Sequence, residues 1–259
     1  MPFAQLPDVR LHYRLDGSAA APLLILSNSL GTDLAMWEPQ MAVLIREFRV
    51  LRYDTRGHGA SDVPPGPYTI AQLGADVIAL LDHLGLTRGH FCGVSMGGMT
   101  GMWLGVHAPD RLRRLVLANT AARIPSADTW NARIDRVNAV GMQGIVEAVL
   151  ARWFTPRFMT EEPATLAQIR AVLQATPAAG YAACCAAVRD HDQRDAIHDI
   201  AARTLVIAGT HDVATPPADS HYLAERIPGA RMVELDGAHL SNIEAALAFN
   251  DALVSFLTT

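Results

Sequence analysis

One serine flanked by glycines, one aspartate and one histidine, each just past a short apolar run, are the residues of this chain suited to covalent chemistry. The stretch His90-Phe91-Cys92-Gly93-Val94-Ser95-Met96-Gly97-Gly98 has the spacing of a sharp strand-to-helix turn that presents a single serine hydroxyl. Glycines two residues before and two after Ser95 suit a turn in which a β-carbon would collide with neighbouring backbone. In a chain with 19 glycines the motif alone has two readings, a nucleophile or an ordinary tight turn. Partners elsewhere must decide between them. Asp212 follows the apolar run 204–209, and His239 follows the run 231–235.

A serine hydroxyl is a weak nucleophile at neutral pH, so His239 is expected to take its proton during attack and return it to the leaving group. Asp212 is expected to fix the imidazole tautomer and stabilise the imidazolium. Acyl transfer also needs two backbone N–H groups aimed at the developing oxyanion. Met96, the residue after the serine, is one candidate, and Leu30, in the loop Ser27-Asn28-Ser29-Leu30-Gly31-Thr32, is the other. The bland reading of that loop is a plain connection from strand to helix.

These residues need a scaffold that brings them together. Residues 22–26, 115–118 and 204–209 read as buried strands, 49–54 and 231–235 as further strands, and 9–15 alternates as a strand near a sheet edge. Helical spacing covers 37–48, with Met41, Leu44, Ile45 and Phe48 on one side, and also 70–86 and 243–257. Strands alternating with helices predict a parallel sheet covered on both faces. In such a sheet the C-terminal strand ends converge on one crevice, where Ser95, Asp212 and His239 can meet.

From 121 to 201 the strand pattern stops, and four helical patterns follow at 130–140, 145–154, 164–174 and 178–189. The expected organisation is therefore a core of residues 1–120 and 202–259 with a helical cap at 121–201. Trp130 and Arg133 share one face or its margin in the first cap helix, and Trp153 ends the apolar stripe of the second. Such stripes are ordinarily core. An arginine beside one suits a substrate carboxylate, because its planar fork matches two oxygens.

Composition removes several classes of function. The formal net charge of -5 offers nothing to nucleic acid or an anionic membrane. All 21 basic residues are arginine, which excludes a Schiff-base lysine, a pyridoxal-phosphate anchor and a phosphate-loop lysine. Cys92, Cys184 and Cys185 are odd in number and read as reduced, the pattern of a cytoplasmic protein. No secretory leader and no run long enough to span a bilayer is legible. His12 reads as a surface side chain, and His58, between two glycines, as part of a loop braced by Asp54 and Arg56. The mixed run 189–195 reads as a solvated face and not a metal site, and no cofactor is required.

The order Ser, Asp, His, together with Asn119-Thr120 where some enzymes of this fold carry the acid, resembles the α/β-hydrolases. Leu26-Ser27-Asn28-Ser29-Leu30-Gly31-Thr32-Asp33, Met36-Trp37, Tyr53-Asp54-Thr55-Arg56-Gly57-His58-Gly59 and Asp212-Val213-Ala214-Thr215-Pro216-Pro217 are similar to the 3-oxoadipate enol-lactonases of bacterial aromatic catabolism. That resemblance implies an eight-stranded, mostly parallel sheet. It also implies hydrolysis of a small anionic enol-lactone to 3-oxoadipate through an acyl-enzyme. Arg133 is then expected to pair with the substrate's acetate arm, with Trp130 and Trp153 shaping the pocket. The rival readings are a carboxylesterase, an acyl-homoserine lactonase, a cofactor-free perhydrolase of the haloperoxidase type, or a non-catalytic ligand receptor on the same fold.

Overall fold

The computed structural model describes residues 2–259. Eight strands form one sheet: β1 (Phe3–Gln5), β2 (Arg10–Asp16), β3 (Leu23–Ser27), β4 (Arg49–Tyr53), β5 (Gly89–Val94), β6 (Leu112–Ala118), β7 (Arg203–Gly209) and β8 (Arg231–Leu235). Their order across the sheet is β1-β2-β4-β3-β5-β6-β7-β8. The first two strands are antiparallel to their neighbours, and every pair from β4 to β8 is parallel. β3 and β5 are buried along their whole length, as continuous apolar runs in a doubly covered sheet require.

The core helices are α1 (Glu38–Glu47), α2 (Ile70–His83) and α3 (Met96–His107). α2 starts at a capping box between Thr69 and Gln72, and α3 stops where Ala108 precedes Pro109. Between β6 and β7 lie only helices: α4 (Ala127–Val140), α5 (Val146–Trp153), α6 (Pro156–Glu161), α7 (Pro163–Ala175) and α8 (Ala178–Arg189), with short 3-10 turns. After β7 come α9 (Pro217–Arg226), α10 (Ser241–Glu244) and α11 (Ala246–Thr258).

The differences from the sequence reading are local. β1 and α6 are too short, at three and six residues, to show a period. The terminal helix is broken at Ala245, whose backbone leaves the helical region at φ -112 and ψ 41, and the Glu244 carboxylate just before it accepts from Ala238 N–H and from Thr155. Ile45 is 41% exposed and does not join Met41 and Leu44 in the core. His12 is not a surface side chain: it is buried, and its Nδ1 lies 2.7 Å from Asp54 Oδ2. The run at 189–195 is only partly solvated, since His191 and Gln193 are buried and Gln193 N–H donates to Ala122 O.

The helices between β6 and β7 rest directly on the strand-end loops. Tyr68 N–H donates to Ala183 O, Leu240 N–H to Trp153 O, and the Thr176 hydroxyl to Gly31 O. At the tightest contact a β-carbon on Gly180 would stand 2.1 Å from Gly57 O, so only glycine lets α8 come this close. Overpacking of this kind costs about 1–3 kcal/mol. Gly180→Ala should therefore lower Tm by roughly 3–10 °C in a circular-dichroism melt, whereas an unchanged Tm would mean that the two backbones do not meet.

Candidate active site

Ser95 sits at the turn from β5 to α3 with φ 58 and ψ -118, a conformation that L-residues seldom adopt. Hydrogen bonds hold it there. Its N–H donates to Ala118 O at 2.9 Å, and its C=O accepts from Met99 N–H at 3.0 Å and from the Thr120 hydroxyl at 2.7 Å. A β-carbon on Gly97 would stand 2.2 Å from Ser27 O, and one on Gly93 would stand 2.2 Å from Gly97 O. The glycines thus do what their spacing predicts, letting the turn press against β3.

His239 Nδ1 lies 2.7 Å from Asp212 Oδ2, and both side chains are buried. Asp212 is also held by Ala214 N–H at 2.7 Å, Thr215 N–H at 2.9 Å, the Thr215 hydroxyl at 2.8 Å and Asn119 Nδ2 at 3.0 Å. Burial pushes its pKa up, but the imidazole and these donors outweigh burial and hold the carboxyl at about 2, against an ordinary 3.8. Asn119 thus occupies the other position at which this fold can carry an acid and serves as a brace. Its Nδ2 also reaches Ala238 O, and its Oδ1 accepts from the Ser241 hydroxyl at 2.6 Å.

Ser95 and His239 face one cavity at the strand ends. Leu30 lines it, and so do all three residues expected from the helical segment, Arg133, Trp130 and Trp153. Met96 is the first residue of α3, so its N–H has no acceptor within the helix. The Arg133 guanidinium stacks 4.8 Å from the Trp130 ring centre.

Among the lining residues that the sequence did not point to as site residues are Arg152, Tyr181 and Ser29. Arg152 is half-buried, and burial together with the neighbouring Arg133 lowers its pKa. It stands three residues after Val149 on α5, a spacing that could have revealed it. Tyr181 lies on α8, and Ser29, beside Leu30, has a buried hydroxyl with no hydrogen-bond partner in the protein. No aspartate or glutamate lines the cavity, so two guanidinium groups face it without a carboxylate among them.

His58 is fully buried, away from this cavity's lining, and its Nε2 accepts the Gly31 N–H at 2.9 Å. Asp54 braces the same region, accepting from Leu34 N–H and Ala60 N–H, and Arg56 makes a two-point pair with Asp76. Among the described residues, no cluster of three His, Cys, Asp or Glu side chains is placed to hold a metal ion. No single helix among them is long and apolar enough to cross a membrane.

A sheet of this order with a serine at the strand-to-helix turn and a buried Asp–His pair at later strand ends defines a class. A family model described as the alpha/beta hydrolase fold matches residues 22–246, and the chain belongs to that family. It is 46% identical over 246 residues to 3-oxoadipate enol-lactonase 2 of Acinetobacter baylyi, covering 95% of this chain and 92% of the relative. It is 40% identical over 247 residues to 3-oxoadipate enol-lactonase 1 of the same organism, with the same coverage. The crystal structure of the enol-lactonase from Burkholderia xenovorans LB400 superposes with a TM-score of 0.98 and 51% identity, covering 100% of both chains. Within the family, the chain therefore stands among the enol-lactonases.

Burial pushes His58 down to about 4, so it is neutral in the folded protein at neutral pH. The unfolded chain binds a proton there near pH 6.5, so the contribution to stability is complete above that pH. It is lost progressively as pH falls from 6.5 to about 4, on the order of 3 kcal/mol. His90 and His191, also lowered to about 4 by burial, act in the same direction. Urea midpoints should fall steeply between pH 7 and pH 4.5, and His58→Gln should flatten that dependence. An equal slope in the variant would refute the assignment.

Proposed function

We propose that this chain is a serine hydrolase that opens 3-oxoadipate enol-lactone to 3-oxoadipate through an acyl-enzyme. The observation that carries the reading is a cavity faced by Ser95, by the Asp212-supported His239 and by two arginines, with no carboxylate in its lining. The likeness to enol-lactonases over the whole chain supports the same substrate.

In this reading Ser95 Oγ attacks the lactone carbonyl while His239 takes the proton, its other nitrogen held by Asp212. Leu30 and Met96 N–H groups receive the oxyanion. The C–O bond of the ring breaks, and the enol oxygen leaves with the proton from His239. The leaving enolate is delocalised, so ring opening is easier than loss of a simple alkoxide. Water activated by His239 then releases the acyl group, and the enol tautomerises to the ketone, which makes the reaction effectively irreversible.

Arg133 and Arg152 hold the free carboxylate of the substrate, with Trp130 and Trp153 enclosing its carbon skeleton. Residues 121–201 act as a cap that supplies this half of the pocket, and the core supplies the reacting half. A place in the breakdown of aromatic compounds follows from the product, and the three free, buried cysteines suit a cytoplasmic enzyme.

Ser95→Ala should reduce kcat for the enol-lactone by at least about 10⁴-fold, followed by loss of its ultraviolet absorbance, and near-normal turnover would end this mechanism. Arg133→Ala and Arg152→Ala should each lower kcat/KM for the anionic lactone by about tenfold or more, the loss of a charge-assisted contact. Hydrolysis of neutral p-nitrophenyl acetate should stay within about threefold. Equal losses on both substrates would assign the arginines to structure instead of carboxylate recognition.

A further inference from the structure

Two buried side chains outside the Ser–His–Asp set grip the loop that carries Leu30. The Ser29–Leu30 peptide is trans, so its C=O and its N–H point in opposite directions from one rigid plane. Whatever holds Ser29 O therefore aims Leu30 N–H. Thr32 holds it twice: its hydroxyl donates to Ser29 O at 2.7 Å and its backbone N–H donates to the same oxygen at 3.2 Å. The Ser29 N–H is itself directed to Met36 Sδ at 3.4 Å.

The next peptide is held by His58. Its Nε2 accepts Gly31 N–H at 2.9 Å while its Nδ1 lies 3.3 Å from Arg56 O. This pairing selects the tautomer with the proton on Nδ1, donated to Arg56 O, and the lone pair on Nε2. On the far side of Gly31, the Thr176 hydroxyl, between α7 and α8, reaches Gly31 O at 3.3 Å and Val172 O at 3.1 Å. Thr32, His58 and Thr176 are all buried, so water does not compete for these bonds.

We propose that Thr32 and His58 are positioning residues that aim the Leu30 N–H at the developing oxyanion, with Thr176 tying the helical cap to the same loop. This rests on Leu30 as an oxyanion donor in acyl transfer, part of the function proposed above, but not on which ester is cleaved. The donor acts in the transition state, so mis-aiming it lowers kcat and leaves KM nearly alone. Complete loss of one such donor costs about 10²–10³ in kcat, and a loosened one less.

The test compares Thr32→Val with Thr32→Ser and His58→Met with His58→Gln. Valine keeps the shape of Thr32 without the hydroxyl, and glutamine places an acceptor oxygen near the position of Nε2. The readouts are kcat and KM on the enol-lactone and on p-nitrophenyl acetate, Tm, and inhibition by a small alkylboronic acid. In that adduct Ser95 Oγ bonds to the trigonal boron, its O–H bond breaks with the proton passing to His239, and no group leaves boron.

Thr32→Val and His58→Met should each lose about tenfold or more in kcat on both substrates with KM within about threefold, and boronate affinity should fall in parallel. Thr32→Ser should return to within about threefold of wild type, and His58→Gln should recover most of the loss. Retention of kcat within about twofold in both Thr32→Val and His58→Met would overturn the proposal. Serine failing as badly as valine would also overturn it, because the hydroxyl would not then be what matters. A wild-type protein that cleaves p-nitrophenyl acetate but not the enol-lactone would sink the lactone reading alone, with the loop still tested on the ester.

Discussion

The left-handed backbone at Ser95 is the constraint on which the rest of this structure depends. A non-glycine residue with φ 58 costs about 1–3 kcal/mol and persists only where its surroundings over-determine it. Here β6 supplies Ala118 O, Thr120 supplies its hydroxyl, and the first turn of α3 supplies Met99 N–H. The close contact of Gly97 with Ser27 O forces β3, β5 and α3 into one packed unit. The same contact sets the end of β3, and so the start of the loop that carries Leu30, beside the serine.

Around that fixed point the charges are divided by environment. Asp212 is buried on the core side, where several donors and the imidazole keep it ionised. An unsatisfied carboxylate there would take a proton instead. The arginines come from helices between β6 and β7, and no carboxylate lines the cavity beside them. The cavity therefore has the Asp212-paired His239 in one part of its lining and two guanidinium groups in another. That polarity suits a small ester with a carboxylate at its far end.

The helical segment is more than a cover. Thr176 reaches Gly31, Trp153 O accepts from Leu240 N–H next to His239, and Gly180 meets Gly57 backbone to backbone. Each contact touches a strand-end loop that bears on the candidate site. Pocket shape and loop geometry are consequently set by the same packing, and a change in one is felt in the other.

Much of this was legible in the chain itself. Continuous apolar runs mark buried parallel strands because both faces are covered, and Gly93, Ser95 and Gly97 mark a turn that only one local geometry satisfies. The order of Ser95, Asp212 and His239 after such runs brings them to one edge of the sheet, and helical period put Arg133, Trp130 and Trp153 on usable faces. Local pattern could not supply what depends on neighbours distant in sequence. β1 exists because β2 offers it an edge, His12 is buried because Asp54 lies beside it, and Arg152 and Ser29 matter because other elements leave them facing the cavity. Periodicity is a property of one segment, whereas burial, pairing and the aim of a backbone N–H are properties of the space between segments, and only the tertiary structure decides those.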